Sequence, residues 1–149
     1  MEKVVRTLKE FEEEACSFAQ SLRPRAKGAV LVTLSGELGA GKTAFVKAMA
    51  RELGVSENVH SPTFVLEKVY TLPEGGHFKR LVHLDAYRLE RGAELAPLGF
   101  GELLRNTDNL VLLEWPERVQ DALPEPFARL SLTLEPDGSR LLSYTYAAA

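Results

Sequence analysis

Apolar residues recur along this chain with two periods, and the switches between them mark out its elements. Leu8, Phe11, Ala15, Phe18, Ala19 and Leu22 return at three- and four-residue spacing, the stripe of an amphipathic helix. Thr7-Leu8-Lys9-Glu10 matches a capping box, in which Thr7 covers first-turn N–H groups and Glu10 reaches back, and the stripe stops before Pro24. The apolar residues of the opening "MEKVVRTLKEFEEE" share the helical spacing. Residues 29–34 then read as a fully buried strand, followed by a glycine-rich loop and a helix over 42–53 that Gly54 closes. Further strands are predicted at 64–71, at 80–84 ending on Asp85, and at 110–113 ending on Glu114. Residues 89–104 have helical and broken-helical character, and "PERVQDALPEP" reads as a short helix or turn. The tail alternates as two strands joined at Asp137-Gly138, a hairpin signal.

Strand, glycine loop and helix open a βαβ unit, so the pattern predicts one α/β domain spanning residues 1–149, with a mixed sheet. At 149 residues the chain is long enough to bury a substantial core. A net charge of −3 leaves no basic footprint for gripping nucleic acid directly, so any such role runs through a partner. The single cysteine, Cys16, excludes an internal disulfide and a cysteine metal cluster, and its helical setting reads as a semi-buried thiol. The charged start is no signal peptide, and no apolar run approaches the ~20 residues of a membrane span. A soluble cytoplasmic protein with no membrane association is the expectation.

Gly36-Glu37-Leu38-Gly39-Ala40-Gly41-Lys42-Thr43 meets the phosphate-loop pattern G-x-x-x-x-G-K-[ST] at every fixed position, and its context of strand before and helix after is the required one. Glycines let the backbone wrap a phosphate with N–H groups turned inward, at a helix N-terminus whose dipole favours anions. Lys42 would bridge the β- and γ-phosphates of ATP or ADP, and the Thr43 hydroxyl would coordinate Mg²⁺. The fold this implies is a P-loop NTPase-like three-layer α/β domain with a mixed, mainly parallel sheet and a C-terminal β-hairpin.

Such a loop needs an acid at the end of a neighbouring strand, and two are available, Asp85 and Glu114. The plain alternatives are a helix N-cap for Asp85 and a strand-end carboxylate facing water for Glu114. One acid can hold the metal while the other orients the attacking water. A small GTPase is disfavoured because Arg88 stands where such proteins place a glycine, and no guanine-reading Asn-Lys-x-Asp occurs. A small-molecule kinase would need an acceptor pocket and an arginine-rich lid, for which little chain remains. His83 alternates with apolar Val82 and Leu84 and reads as a structural or a functional histidine.

The ordered set "GELGAGKT", "SPTF", "HLDAYRL", "LGF" and "LLEWPERV" resembles the TsaE family of bacterial ATPases of tRNA threonylcarbamoyladenosine biosynthesis. The resemblance runs from about Val30 to Leu123. It implies a small Mg²⁺-dependent ATPase that works with the TsaB and TsaD proteins and meets tRNA only indirectly. In that family ATP hydrolysis is not the threonylcarbamoyl transfer itself and serves to reset the partner complex. Carried over by position, Gly36 and Gly39 to Ala44 would bind the nucleotide, and Thr43, Asp85 and Glu114 would form the metal side. Lys42, Asp85 and Glu114 would be the catalytic set. Thr63 would sense the γ-phosphate, Trp115 would neighbour the nucleotide or a partner, and Tyr87 and Arg88 would lie on a partner-facing or switch surface. Two departures stand out: Ala44 replaces a frequent second hydroxyl residue, and "SLRPRAKG" is longer and more basic than usual, which leaves the adenine pocket unassigned. A nucleotide-dependent switch whose hydrolysis is incidental is the rival reading.

Overall fold

The computed structural model describes residues 1–57 and 66–147. Its strands are β1 (Glu2–Val5), β2 (Val30–Ser35), β3 (Glu67–Thr71), β4 (Arg80–Asp85), β5 (Asn109–Glu114), β6 (Ala128–Leu134) and β7 (Arg140–Tyr146). Its α-helices are α1 (Leu8–Ser21), α2 (Lys42–Glu52) and α3 (Phe100–Arg105). All seven strands join one sheet in the order β1-β7-β6-β2-β5-β4-β3. The four central strands run parallel, β6 to β2, β2 to β5 and β5 to β4, while β3, β7 and β1 pair antiparallel at the two sides.

The central strands are apolar on both faces because both are covered. Val30, Val32 and Leu34 of β2 join Leu110 and Leu112 of β5 in a core roofed by Phe11, Phe18, Phe45 and Met49 of α1 and α2. Leu31, Val111 and Leu113 face the other way, against Leu89, Leu95 and Phe100. The result is the three-layer arrangement expected of a doubly covered parallel sheet. The helix α1 carries the full capping box: Thr7 Oγ1 accepts from the Glu10 N–H at 3.1 Å, and Glu10 Oε1 accepts from the Thr7 N–H at 3.2 Å.

Several boundaries differ from expectation. The opening residues form a strand, not helix: β1 pairs with β7 in antiparallel register, and the cap at Thr7 blocks helix from extending backward. Leu8, counted on the apolar stripe, is 70% exposed. The helix α2 ends at Glu52, and Gly54, one residue past its Leu53 cap, takes the left-handed conformation with φ +97°. The broken-helical stretch resolves into a 3-10 segment, Gly92–Leu98, interrupted by Pro97, followed by α3. "PERVQDALPEP" contains two short 3-10 turns, Pro116–Arg118 and Gln120–Ala122. The strand expected over 64–71 is seen from Glu67, its first residues lying outside the described ones. No helix among the described residues is long and apolar enough to cross a membrane.

Candidate active site

Parallel pairing brings the carboxyl ends of β2, β4 and β5 to one edge of the sheet. Leu34 pairs with Glu114, and Glu114 with Asp85, so both strand-end acids stand side by side. The two-residue repeat then decides direction. Leu81, His83 and Asp85 share one face of β4, and Leu110, Leu112 and Glu114 share one face of β5, the face covered by α1 and α2. The carboxylates therefore look toward the first turn of α2, where Lys42 and Thr43 sit.

The loop from Gly36 to Gly41 makes that turn possible. At Gly36 a side chain would put its Cβ 2.5 Å from the Leu132 carbonyl oxygen. At Gly41 the backbone is left-handed, with φ +109°, and a Cβ would press on the Phe11 ring at 3.2 Å. Only glycine satisfies both positions without strain. Lys42 is buried, and its ammonium donates to the carbonyls of Gly36 and Glu37, the latter at 3.0 Å. It also lies 4.3 Å from the centre of the Trp115 ring. Burial pushes the Lys42 pKa down, and the carboxylates of Glu114, Glu117 and Asp85 pull it partly back.

The Thr43 hydroxyl donates to both oxygens of Glu114, at 3.2 and 3.1 Å. Glu114 is only 2% exposed, which overturns the picture of a strand-end acid facing water. Its second oxygen is 2.6 Å from Nε2 of His83, a fully buried residue. With the carboxylate as acceptor, Nε2 is the ring nitrogen that carries the hydrogen, and Nδ1 has no hydrogen-bond partner among the described residues. Asp85 Oδ1 accepts from the Tyr87 N–H at 2.9 Å, a turn contact, and no helix starts there for it to cap.

Trp115 has φ +60°, a left-handed conformation costing a bulky residue roughly 1–3 kcal/mol. The ring contacts offset that cost. Tyr87 packs on Trp115 with centroids 5.0 Å apart, and the Arg118 guanidinium lies near both rings, at 5.5 and 5.9 Å.

A cavity of about 460 Å³ collects most of these residues: Gly39, Gly41, Lys42, Thr43, Ala44, Asp85, Glu114 and Trp115 of the expected set, with Leu38, Tyr87 and Arg140 added. Gly36 and Ala40 line a neighbouring hollow beside β6 instead, where they shape the loop from behind. Thr63, with the rest of Ser61-Pro62-Thr63, lies outside the described residues. Sequence reasoning did not connect His83 to Glu114 and missed Arg140 altogether. The first was recoverable from the alternation of β4, which puts His83 on the face of Asp85. Arg140 carried no signal, because only the hairpin's pairing with β1 and β6 carries it to the loop.

The donor set suits a hard divalent cation: a hydroxyl and a carboxylate converge, all oxygen. No group of three His, Cys, Asp or Glu among the described residues forms a protein cage.

The sequence profile described as "Threonylcarbamoyl adenosine biosynthesis protein TsaE" matches residues 8–142. The chain belongs to the TsaE family. Its relatives include proteins named tRNA threonylcarbamoyladenosine biosynthesis protein TsaE from Rickettsia bellii, Treponema pallidum and Bacillus subtilis. The first is 36% identical over 140 residues, 93% of each chain. The second is 41% identical and covers 74% of this chain and 77% of its own. The third is 34% identical and covers 89% and 80%. Among solved structures, that of Bacillus subtilis YdiB superposes with a TM-score of 0.77 at 27% identity, covering 99% of this chain and 86% of its own. The TsaE relatives thus share most of this chain's length, and the phosphate loop, both acid-ended strands, β6 and the start of β7 fall inside the matched span 8–142.

Proposed function

We propose that this TsaE-family chain is a magnesium-dependent ATPase acting in threonylcarbamoyladenosine modification of tRNA, and that it serves a complex of TsaB and TsaD by driving its turnover. The observation that carries the reading is the Thr43–Glu114 contact, at 3.1 and 3.2 Å, directly beneath a complete phosphate loop.

In this reading the loop amides and the Lys42 ammonium bind the β- and γ-phosphates and neutralise charge gathering there. Thr43 Oγ1 and Glu114 would hold Mg²⁺, which when bound supplies charge neutralisation on the phosphate oxygens. His83 fixes the Glu114 carboxylate in rotation. Asp85 is the second carboxylate on the cavity wall and would accept a hydrogen bond from the attacking water, aligning it with phosphorus. Trp115 and Tyr87 form an aromatic side wall that limits water at Lys42.

Calorimetric titration of the purified chain with MgADP and MgATP, together with phosphate release alone and with TsaB and TsaD, tests the proposal. Binding, weak intrinsic hydrolysis raised by the two partners, and loss of both in Lys42→Ala are expected. Failure to bind any adenine nucleotide in the presence of Mg²⁺ would sink it.

A further inference from the structure

Arg140 has no part in the reading above, yet it stands on the wall of the same cavity. It is the first residue of β7, and its Nε donates to the Ala40 carbonyl oxygen at 2.9 Å. Its guanidinium carbon lies 5.7 Å from the centre of the buried Phe11 ring, which braces it from the α1 side. Among the described residues no carboxylate pairs with it, and no protein acceptor meets Nη1 or Nη2. A half-buried guanidinium cannot shed its proton, so its remaining donors are left to solvent or to a ligand in the cavity.

The backbone says which part of a ligand that is. No peptide among the described residues is cis, so the Ala40 C=O and the Gly41 N–H point in opposite directions. With the carbonyl turned to Arg140, the Gly41 N–H is turned away from it. If the loop amides face the phosphates, as the nucleotide-binding reading on which this rests requires, the guanidinium stands on the other side of that peptide from the phosphate chain. It is therefore placed badly for a γ-phosphate and well for the nucleoside end of the nucleotide. Lys42 already serves the phosphate side.

We propose that Arg140 is the nucleoside-binding residue, presenting its planar guanidinium and free Nη edge to the base and ribose of an adenine nucleotide. A planar cation is suited to this, since it stacks on a π-face and donates in its own plane. The C-terminal hairpin thereby becomes part of the nucleotide site, and Phe11 gains a role as its brace.

The test compares MgADP with magnesium tripolyphosphate, which keeps the phosphate chain and lacks the nucleoside, in titrations of the full chain carried to high ligand concentration. Wild-type protein must bind MgADP; if it does not, the nucleotide reading fails independently of Arg140. In Arg140→Gln, ADP affinity should fall about tenfold or more while tripolyphosphate affinity stays within about twofold. Equal weakening of both ligands would mean that Arg140 acts only through the loop and would overturn the proposal, as would unchanged ADP affinity. Arg140→Lys retains a cation for the Ala40 carbonyl but not the planar fork, and should show the same selective loss of ADP. Should Arg140→Gln fail to fold, a wild-type ratio of ADP to tripolyphosphate affinity in Arg140→Lys overturns the proposal by itself.

Discussion

His83 Nε2 lies 2.6 Å from Glu114 Oε2, and the same carboxylate receives the Thr43 hydroxyl at 3.1 and 3.2 Å. A histidine buried in the sheet thus reaches the first turn of α2 through one acid. His83→Ala should leave MgADP affinity within about threefold but reduce turnover, because Glu114 would lose its fixed rotamer. The buried carboxylate would also lose a partner, costing about 1–3 kcal/mol of stability. Chemical denaturation and a split of kcat against KM check this. Partial recovery of turnover in His83→Gln, which restores a donor, separates positioning from simple packing, and unchanged kcat in His83→Ala would refute the role.

The two acids should be separable. Glu114 accepts the Thr43 hydroxyl on both of its oxygens, so Glu114→Ala should shift the Mg²⁺ concentration needed for half-maximal turnover and lower turnover itself. Asp85→Asn should keep the metal requirement and lower kcat by about a hundredfold or more, the usual scale for a lost acid–base contact. Metal titrations of both variants decide the division. If Glu114→Ala loses turnover yet supports tRNA modification in cells, the switch reading replaces the enzyme.

Trp115 is the chain's only tryptophan, and a cation sits 4.3 Å from its ring centre. A polyphosphate that draws Lys42 toward itself changes that contact. Tryptophan emission should therefore respond to MgADP, and it should shift in Lys42→Ala without any ligand. Trp115→Phe keeps an aromatic face and should bind MgADP within a few-fold of wild type while abolishing the signal. Emission indifferent to saturating MgADP would disprove the coupling.

Nucleotide affinity should depend on the protonation of Lys42. Burial holds its pKa below the ordinary 10.5, against a smaller upward pull from Glu114, Glu117 and Asp85. Phosphate needs the ammonium form, so affinity is fully present below the lowered pKa and declines as pH rises through it. The decline should begin at lower pH than for an ordinary lysine. MgADP titrations from neutral pH up to 10.5 measure this, and Lys42→Arg, which does not titrate in that range, should flatten the curve. A flat wild-type profile would remove Lys42 from the phosphate contact.

Much of the fold was legible because its signals are local. A strand buried on both faces, a loop with glycine at each constrained position and a capping box at Thr7 each express the conformational preferences of a few neighbouring residues. The misread opening shows the limit of such signals. Glu2–Val5 holds as a strand only because β7 offers it an edge, and its own burial pattern, with Val5 alone buried, carries no strand period.

The chain by itself determined the chemical parts: a phosphate loop ending in Lys42 and Thr43, two apolar strands each closing on an acid, and the ordered motifs of the TsaE family. Tertiary structure decided which parts meet. Parallel register set Asp85 beside Glu114 and turned His83 onto the same face, and helix placement brought Thr43 to Glu114. The hairpin returned Arg140 to Ala40, one hundred residues away. Strand alternation and glycine geometry act over two to six residues, whereas pairing register and the closing of long loops depend on the whole sheet.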